Sequence, residues 1–323
     1  MKRIIPVLLC LTLILGMAAI LSGCDTQKNP TTADNNGTTI VVTCPAAHAL
    51  VSSLTMNDHE DGGDPNRVVT IELMYKPGQD MHSFKPAAKD IISLANADVV
   101  VCTGSEGWLD AALKASGNTV ARVVSMMEAC DTYAANHDHD HSHEEGSCAL
   151  IGNDEHVWLS VDNASRIVMA ITDALKDVDR DSAAVWEKHG AEYNAELIAL
   201  NTEFHNMVDS AAKKTVVVAD RHPFVYLFSE LGLDCVAAFP GCSSETSASF
   251  ETQTKLIEAV KSNELSYIFV IEGSDGKVAE VVSGETGAEI LTLNSLQVVT
   301  DYENINYIDV MRQNLENLKK ALQ

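Results

Sequence analysis

Basic side chains are scarce in this 323-residue sequence: 22 Lys and Arg stand against 46 Asp and Glu, a formal charge of −24. A chain so short of cations is poorly suited to grip a polyanionic backbone or an anionic lipid face, and a cationic ligand suits it better. The sequence has no GxxxxGK[ST] phosphate loop and no HExxH helix, so it carries neither a P-loop ATPase site nor the common zinc-protease signature. It also has no CxxC pair, which removes a thiol redox site and a cysteine-rich zinc knuckle.

Long apolar runs are confined to the start. Residues 1–23, MKRIIPVLLCLTLILGMAAILSG, join a short basic end to an apolar run and then small residues, the pattern of a secretory signal. The tetrapeptide Leu21-Ser22-Gly23-Cys24 resembles the lipobox of bacterial lipoproteins, which implies cleavage before Cys24 and a lipid anchor on that residue. Removing 23 of the 323 residues, Lys2 and Arg3 among them, leaves 300 residues with 20 bases against 46 acids, a charge of −26. Residues 24–39 are expected to form a polar, flexible tether on the outer side of the cell membrane.

Export changes what the cysteines mean. With Cys10 in the signal and Cys24 lipidated, Cys44, Cys102, Cys130, Cys148, Cys235 and Cys242 remain. An even number in an oxidising compartment suggests three disulfides, and six thiols allow fifteen pairings. Neighbouring strands would bring Cys44 towards Cys102, while Cys130 and Cys148 flank a hydrophilic insertion and Cys235 and Cys242 bracket a Pro-Gly segment.

The rest of the chain alternates strand and helix. IVVTC (40–44), VVTIEL (68–73), DVVVC (98–102) and TVARVV (119–124) read as strands separated by amphipathic helical stretches. The pattern repeats with TVVVAD (215–220), DCVAAF (234–239), YIFVIE (267–272) and EILTL (289–293). Nearly continuous apolar strands between helices indicate an α/β fold with parallel sheets covered on both faces. The expected organisation is a first lobe over 40–180, a long helix over 181–212, and a second lobe over 213–323. Apolar side chains from Val185 to Val208 recur at intervals of three and four, and about 31 residues would reach roughly 45 Å. Two such lobes leave a cleft at the carboxyl ends of their strands, where these sheets bind ligands.

Histidine carries the chemical signal. Four of the eleven alternate with acids and a serine in NHDHDHSHEEG (136–146), at His137, His139, His141 and His143, a multidentate trap for a borderline-soft cation. His82, His156 and His222 each lie in a connection expected to face the cleft, and three neutral imidazoles hold Zn²⁺ with one position open. His189 and His205 fall within the long helix and read as packing or surface residues, while His48 and His59 are left unassigned, His48 lying near a strand end where a supporting group could stand.

Several segments then resemble one family in order along the chain. KPGQDMHSFKPAAKDIISLANADVVVCTGSEGWLD (76–110) is similar to the signature PG-x-D-x-H-x-[YF]-x-P…L-x-x-ADL of metal-binding proteins serving ABC uptake transporters, the cluster A-I group. DEHVWLSVDNA (154–164), DRHPFVYLFSELGLDCV (220–236) and ETGAEILTLNSL (285–296) resemble its later segments, with Val161 where proline is usual. The resemblance implies two (β/α)4 Rossmann-like lobes joined by a long rigid helix, with the metal buried between them. It places the three metal histidines at His82, His156 and His222. At the family's fourth ligand position stands Asn294, and position 81 is Met where some zinc members carry a carboxylate. Asn294, a water or another carboxylate is then the fourth ligand. Fewer carboxylates disfavour manganese, a harder ion, and a His-rich insertion between the first two metal histidines is common in zinc members.

The expected function is extracytoplasmic capture of Zn²⁺ and its delivery to an ABC permease whose ATPase is a separate subunit, by a monomeric, lipid-anchored protein that is not an enzyme. The alternatives are a manganese carrier of the same family, a zinc-dependent hydrolase, and an adhesion or scaffold lipoprotein with a structural metal.

Overall fold

A computed structural model of the chain describes residues 37–55, 68–130, 154–241, 248–302 and 304–323. The signal, the lipobox cysteine, most of the tether, the His-rich segment, Cys148 and Cys242 lie outside these residues.

Eight strands form two parallel four-stranded sheets. The first contains β1 (Gly37–Val42), β2 (Val68–Leu73), β3 (Val99–Cys102) and β4 (Arg122–Ser125), in the order β2-β1-β3-β4. Its helices are α1 (Pro45–Thr55), α2 (Ala88–Asn96), α3 (Leu109–Ser116) and the single turn α4 (Met126–Ala129). Val99, Val100 and Val101 are fully buried, as a strand covered on both faces requires. β1 begins at Gly37, three residues inside the stretch expected to be tether.

The strand register also accounts for two cysteines. Val42 pairs with Val101, which sets Thr43, not Cys44, level with Cys102. Adjacent positions point to opposite faces of a sheet, so the expected Cys44–Cys102 bridge is not formed and both are buried thiols. Burial pushes both thiols far above the ordinary cysteine range. The other two suggested pairs each include a cysteine outside the described residues.

From β4 the chain passes through α5 (Val161–Val178) to the long helix α6 (Ala183–Asp209). Ser160 caps α5 by accepting from the Asn163 amide at 3.1 Å. α6 runs unbroken for 27 residues, about 40 Å at 1.5 Å each. It buries Trp186, His189, Tyr193, Leu197, Leu200, Phe204, Met207 and Val208 along one stripe. Gly190 marks its closest approach to α5, because a Cβ there would overlap the Thr172 side chain. His189 is a core residue whose Nδ1 meets the Leu54 carbonyl at 3.1 Å, and His205 is half-exposed beside Glu230.

The second sheet repeats the first order as β6-β5-β7-β8, with β5 (Thr215–His222), β6 (Asp234–Pro240), β7 (Tyr267–Ile271) and β8 (Glu289–Leu293). Its helices are α7 (Val225–Glu230), α8 (Phe250–Ser262), α9 (Lys277–Thr286) and α10 (Tyr307–Leu322). In both sheets the order reverses beside the first strand, the place where a crevice opens at the carboxyl ends. One hydrophobic core runs from the first lobe through α5, α6 and α10 to one face of the second sheet, while a smaller core of Val217, Phe239, Leu256, Ile268 and their neighbours fills its other face. The lobes thus share packed interior, which resists a wide hinge motion.

Candidate metal centre

His82 is placed by a short turn after β2. Asp80 accepts from the His82 amide at 2.9 Å and caps the 3-10 turn Met81–Ser83. Met81 and Phe84 point into the core, where Phe84 packs on Tyr75 and Trp108 at ring separations of 4.3 and 5.2 Å. His82 is left at the cleft with its side chain 25% exposed.

His156 is held more tightly. The turn Val157–Leu159 after it is wholly buried, and the Trp158 indole donates to the Ser295 carbonyl of the second lobe at 2.9 Å. Tyr307 returns a bond to the Trp158 carbonyl at 2.6 Å, and the Tyr226 hydroxyl donates to the Asp154 carbonyl at 2.7 Å. The segment bearing His156 is therefore bolted to the opposite lobe.

The two rings stand 5.6 Å apart, and each meets a carboxylate at Nδ1. Glu155 lies 3.0 Å from His82 Nδ1, and Asp154 lies 2.8 Å from His156 Nδ1. Such an outer carboxylate fixes the ring and leaves Nε2 as the coordinating atom. His156 Nε2 is buried and has no hydrogen-bond partner among the described residues. A buried lone pair in that state costs free energy unless something takes it up. His82 Nε2 meets Gln297 Oε1 at 2.9 Å, across the cleft. Facing oxygens at both nitrogens, His82 is held above the ordinary imidazole pKa: burial disfavours its charge, but Glu155 and Gln297 outweigh it. Burial likewise opposes the charge on Glu155, yet bonds from His82 and Ser105 hold its pKa down to about 2.

His222 approaches from the second lobe at the end of β5. It is buried, its ring stacks on Phe228 at 5.0 Å, and its Nδ1 has no partner among the described residues. Gly241 lets this strand end close on the His156 segment, since a Cβ there would sit 3.0 Å from the His222 carbonyl and 3.3 Å from the Asp154 carboxylate. His82, Glu155 and His156 offer ligand atoms within 4.8 Å of one another, and His222 stands outside that circle.

Asn294 does not face this cluster as a free ligand. Its Oδ1 accepts from the Leu296 amide at 2.9 Å, and its backbone is paired to Asn314 of α10. Gln297, three residues on, is what reaches His82. Its loop is held by the buried carboxylate of Glu272, which accepts from Ser295 N and Oγ at 2.7 Å, Gln297 N at 2.9 Å and Val298 N at 3.2 Å. Asp154, Glu155 and Gln297 are the site residues that motif spacing did not single out. The run Asp154-Glu155-His156 was visible in the sequence, whereas the Gln297 contact joins positions 215 apart. His48 lies on α1, where its ring packs on Tyr302 at 5.8 Å and meets Ser52 at 3.3 Å.

Two parallel α/β lobes with histidines from both at the carboxyl ends of their strands define a two-lobed solute-binding protein. The chain belongs to the ZnuA family, described as the periplasmic component A of the zinc-uptake complex, whose model matches residues 40–321. The high-affinity zinc uptake system protein ZnuA of Bacillus subtilis is 28% identical over 309 residues, 94% of each chain. The zinc-binding lipoprotein AdcA of Streptococcus pneumoniae is 31% identical over 260 residues, which cover 78% of this chain and 51% of AdcA, so the chain spans about half the length of that relative. Among solved structures, the metal-dependent lipoprotein YcdH from B. subtilis superposes with a TM-score of 0.70 at 27% identity, covering 88% of this chain and 99% of its own. The Zn(II)-bound ZnuA-like domain of S. pneumoniae AdcA gives 0.67 at 26% identity with the same coverage. No described helix is long and apolar enough to cross a membrane.

Proposed function

We propose that the protein captures Zn²⁺ outside the cytoplasmic membrane and delivers it to an ABC permease, with His82, His156 and His222 as ligands. The observation that carries the reading is the pair of buried, unpartnered ring nitrogens, His156 Nε2 and His222 Nδ1, at the carboxyl ends of the two sheets. A zinc ion takes up those lone pairs as deprotonated imidazoles do in tetrahedral sites.

Gln297 is the fourth ligand. His82 Nε2 now donates to its Oε1 at 2.9 Å. Zinc at about 2.0–2.2 Å from each atom would set them roughly 3.4 Å apart in tetrahedral geometry, a shift of about half an ångström. Glu155 and Asp154 then remain as outer partners of the two rings. Three imidazoles and one amide oxygen form a softer set than manganese prefers. With both carboxylates engaged at ring nitrogens, neither serves as a general base for a metal-bound water, so the protein binds its cargo without transforming it. The lobes tighten modestly on the ion because they share a core, and the permease docks on the lobe surfaces beside the cleft. The chain acts as a monomer anchored through lipid on Cys24, with the His-rich segment 136–146 gathering metal.

Competitive calorimetry on metal-free protein tests the reading. Zn²⁺ is expected to bind far more tightly than Mn²⁺, and preferential Mn²⁺ binding would overturn it.

A further inference from the structure

One charged contact crosses the cleft beside the histidines and has no part in ligation. Arg221 Nη1 of the second lobe donates to Asp80 Oδ2 of the first at 3.2 Å, joining positions 141 apart. The same Asp80 carboxylate uses Oδ1 to accept from the His82 amide at 2.9 Å, while the Asp80 carbonyl accepts from Ser83 N at 3.2 Å and Ser83 Oγ at 2.8 Å. Arg221 directly precedes His222, and its amide is fixed by Asp220 Oδ1 at 2.7 Å. The register of β5 against β6 shifts between Val218 and Arg221, an irregularity that re-aims the side chains at the strand end.

We infer that Asp80 and Arg221 form a latch that holds the His82 turn and the His222 strand end in register and slows the departure of bound zinc. Neither residue touches the metal; both are positioning residues, and the inference rests on the proposed zinc site. The geometry favours this role over a plain surface ion pair. The Asp80 and Arg221 side chains are only 30% and 20% exposed, and the Asp80 carboxylate is already held at its other oxygen by the His82 amide. The aspartate then has little side-chain entropy to lose in the contact, in contrast to an acid on open surface. The guanidinium would also repel a nearby dication if bare, and Asp80 neutralises it. Breaking a charge pair at a binding interface acts chiefly on the dissociation rate.

The test is stopped-flow release of zinc from the full chain into excess chelator, for the wild type, Arg221→Gln, Asp80→Asn, the double variant and Arg221→Lys. Asparagine keeps an oxygen for the His82 amide, so Asp80→Asn removes the charge and preserves the turn. Each neutral single variant should release zinc about threefold to fivefold faster. The double should be no faster than the quicker single, and Arg221→Lys should stay close to wild type. Raising ionic strength should speed release from the wild type and leave Arg221→Gln nearly unchanged. Unchanged release in both singles, or effects that multiply in the double, would overturn the latch. Amide exchange in the metal-free protein separates this from the zinc assignment: Arg221→Gln should quicken exchange at residues 81–83, and equal exchange in the two proteins would count against the latch whatever metal is bound. A wild type that takes up no zinc would instead overturn the proposed function.

Discussion

The two lobes have the same strand order but equip their halves of the site differently. The first lobe supplies histidines already paired with carboxylates, Glu155 on His82 and Asp154 on His156. The second supplies His222, stacked on Phe228 with an unpartnered Nδ1, and Gln297, held by the buried Glu272. One half sets its rings with carboxylates bonded directly to them; the other offers groups with no carboxylate on them, ordered by ring stacking and by a loop that Glu272 holds from behind. In the proposed site zinc would complete both, by displacing a proton from His82 and by filling the lone pairs left on His156 and His222.

The sharpest way to break this contrast is His156→Ala. Site energies of about 10–16 kcal/mol divided over four ligands give roughly 3 kcal/mol each, so zinc affinity should fall at least a hundredfold by competition against a chelator. Next comes Glu155→Gln, which keeps the shape and removes the charge; loss of an outer partner costs about 10–100-fold in affinity. It also gives a pH signature. Because the His82 pKa is raised, wild-type zinc binding weakens as pH falls through that raised value, where the ring takes up the proton zinc must displace. Glu155→Gln lowers that pKa, so the acid limb of the binding curve should move to lower pH. An unmoved limb would mean that Glu155 does not govern the ring.

Gln297→Glu works on the neutral half. An added carboxylate should tighten binding of either ion and gain more for Mn²⁺ than for Zn²⁺, narrowing the preference by about tenfold in paired titrations. Deleting 137–143 should have the smallest effect, with equilibrium affinity retained, since none of the three cleft histidines belongs to it.

The sequence carried most of the fold. Seven of the strand segments are short apolar runs that no amphipathic helix explains, and the eighth, TVARVV, begins three residues before its strand at Arg122. α5 escaped, although Val161, Ala164, Ile167, Val168, Ile171 and Leu175 recur at helical spacing and are all buried. Motifs named the three histidines because each stands in a local pattern. Which side chain of the loop turns to the cleft was not legible: Asn294 is tied to the Leu296 amide and to Asn314, while Gln297 meets His82, and only those long-range contacts and the Glu272 anchor separate the two. The Cys44–Cys102 bridge failed for a similar reason: strand order was legible, but register decides which face a side chain takes.

The central claim is that zinc is held between the lobes, and His222 is the ligand that only a bridging site requires. Direct calorimetric titration of metal-free His222→Ala with Zn²⁺ tests it most plainly. Tight binding should be lost, with a weaker event left at the first-lobe pair His82 and His156. Tight binding equal to that of the wild type would place the metal within one lobe and contradict the account.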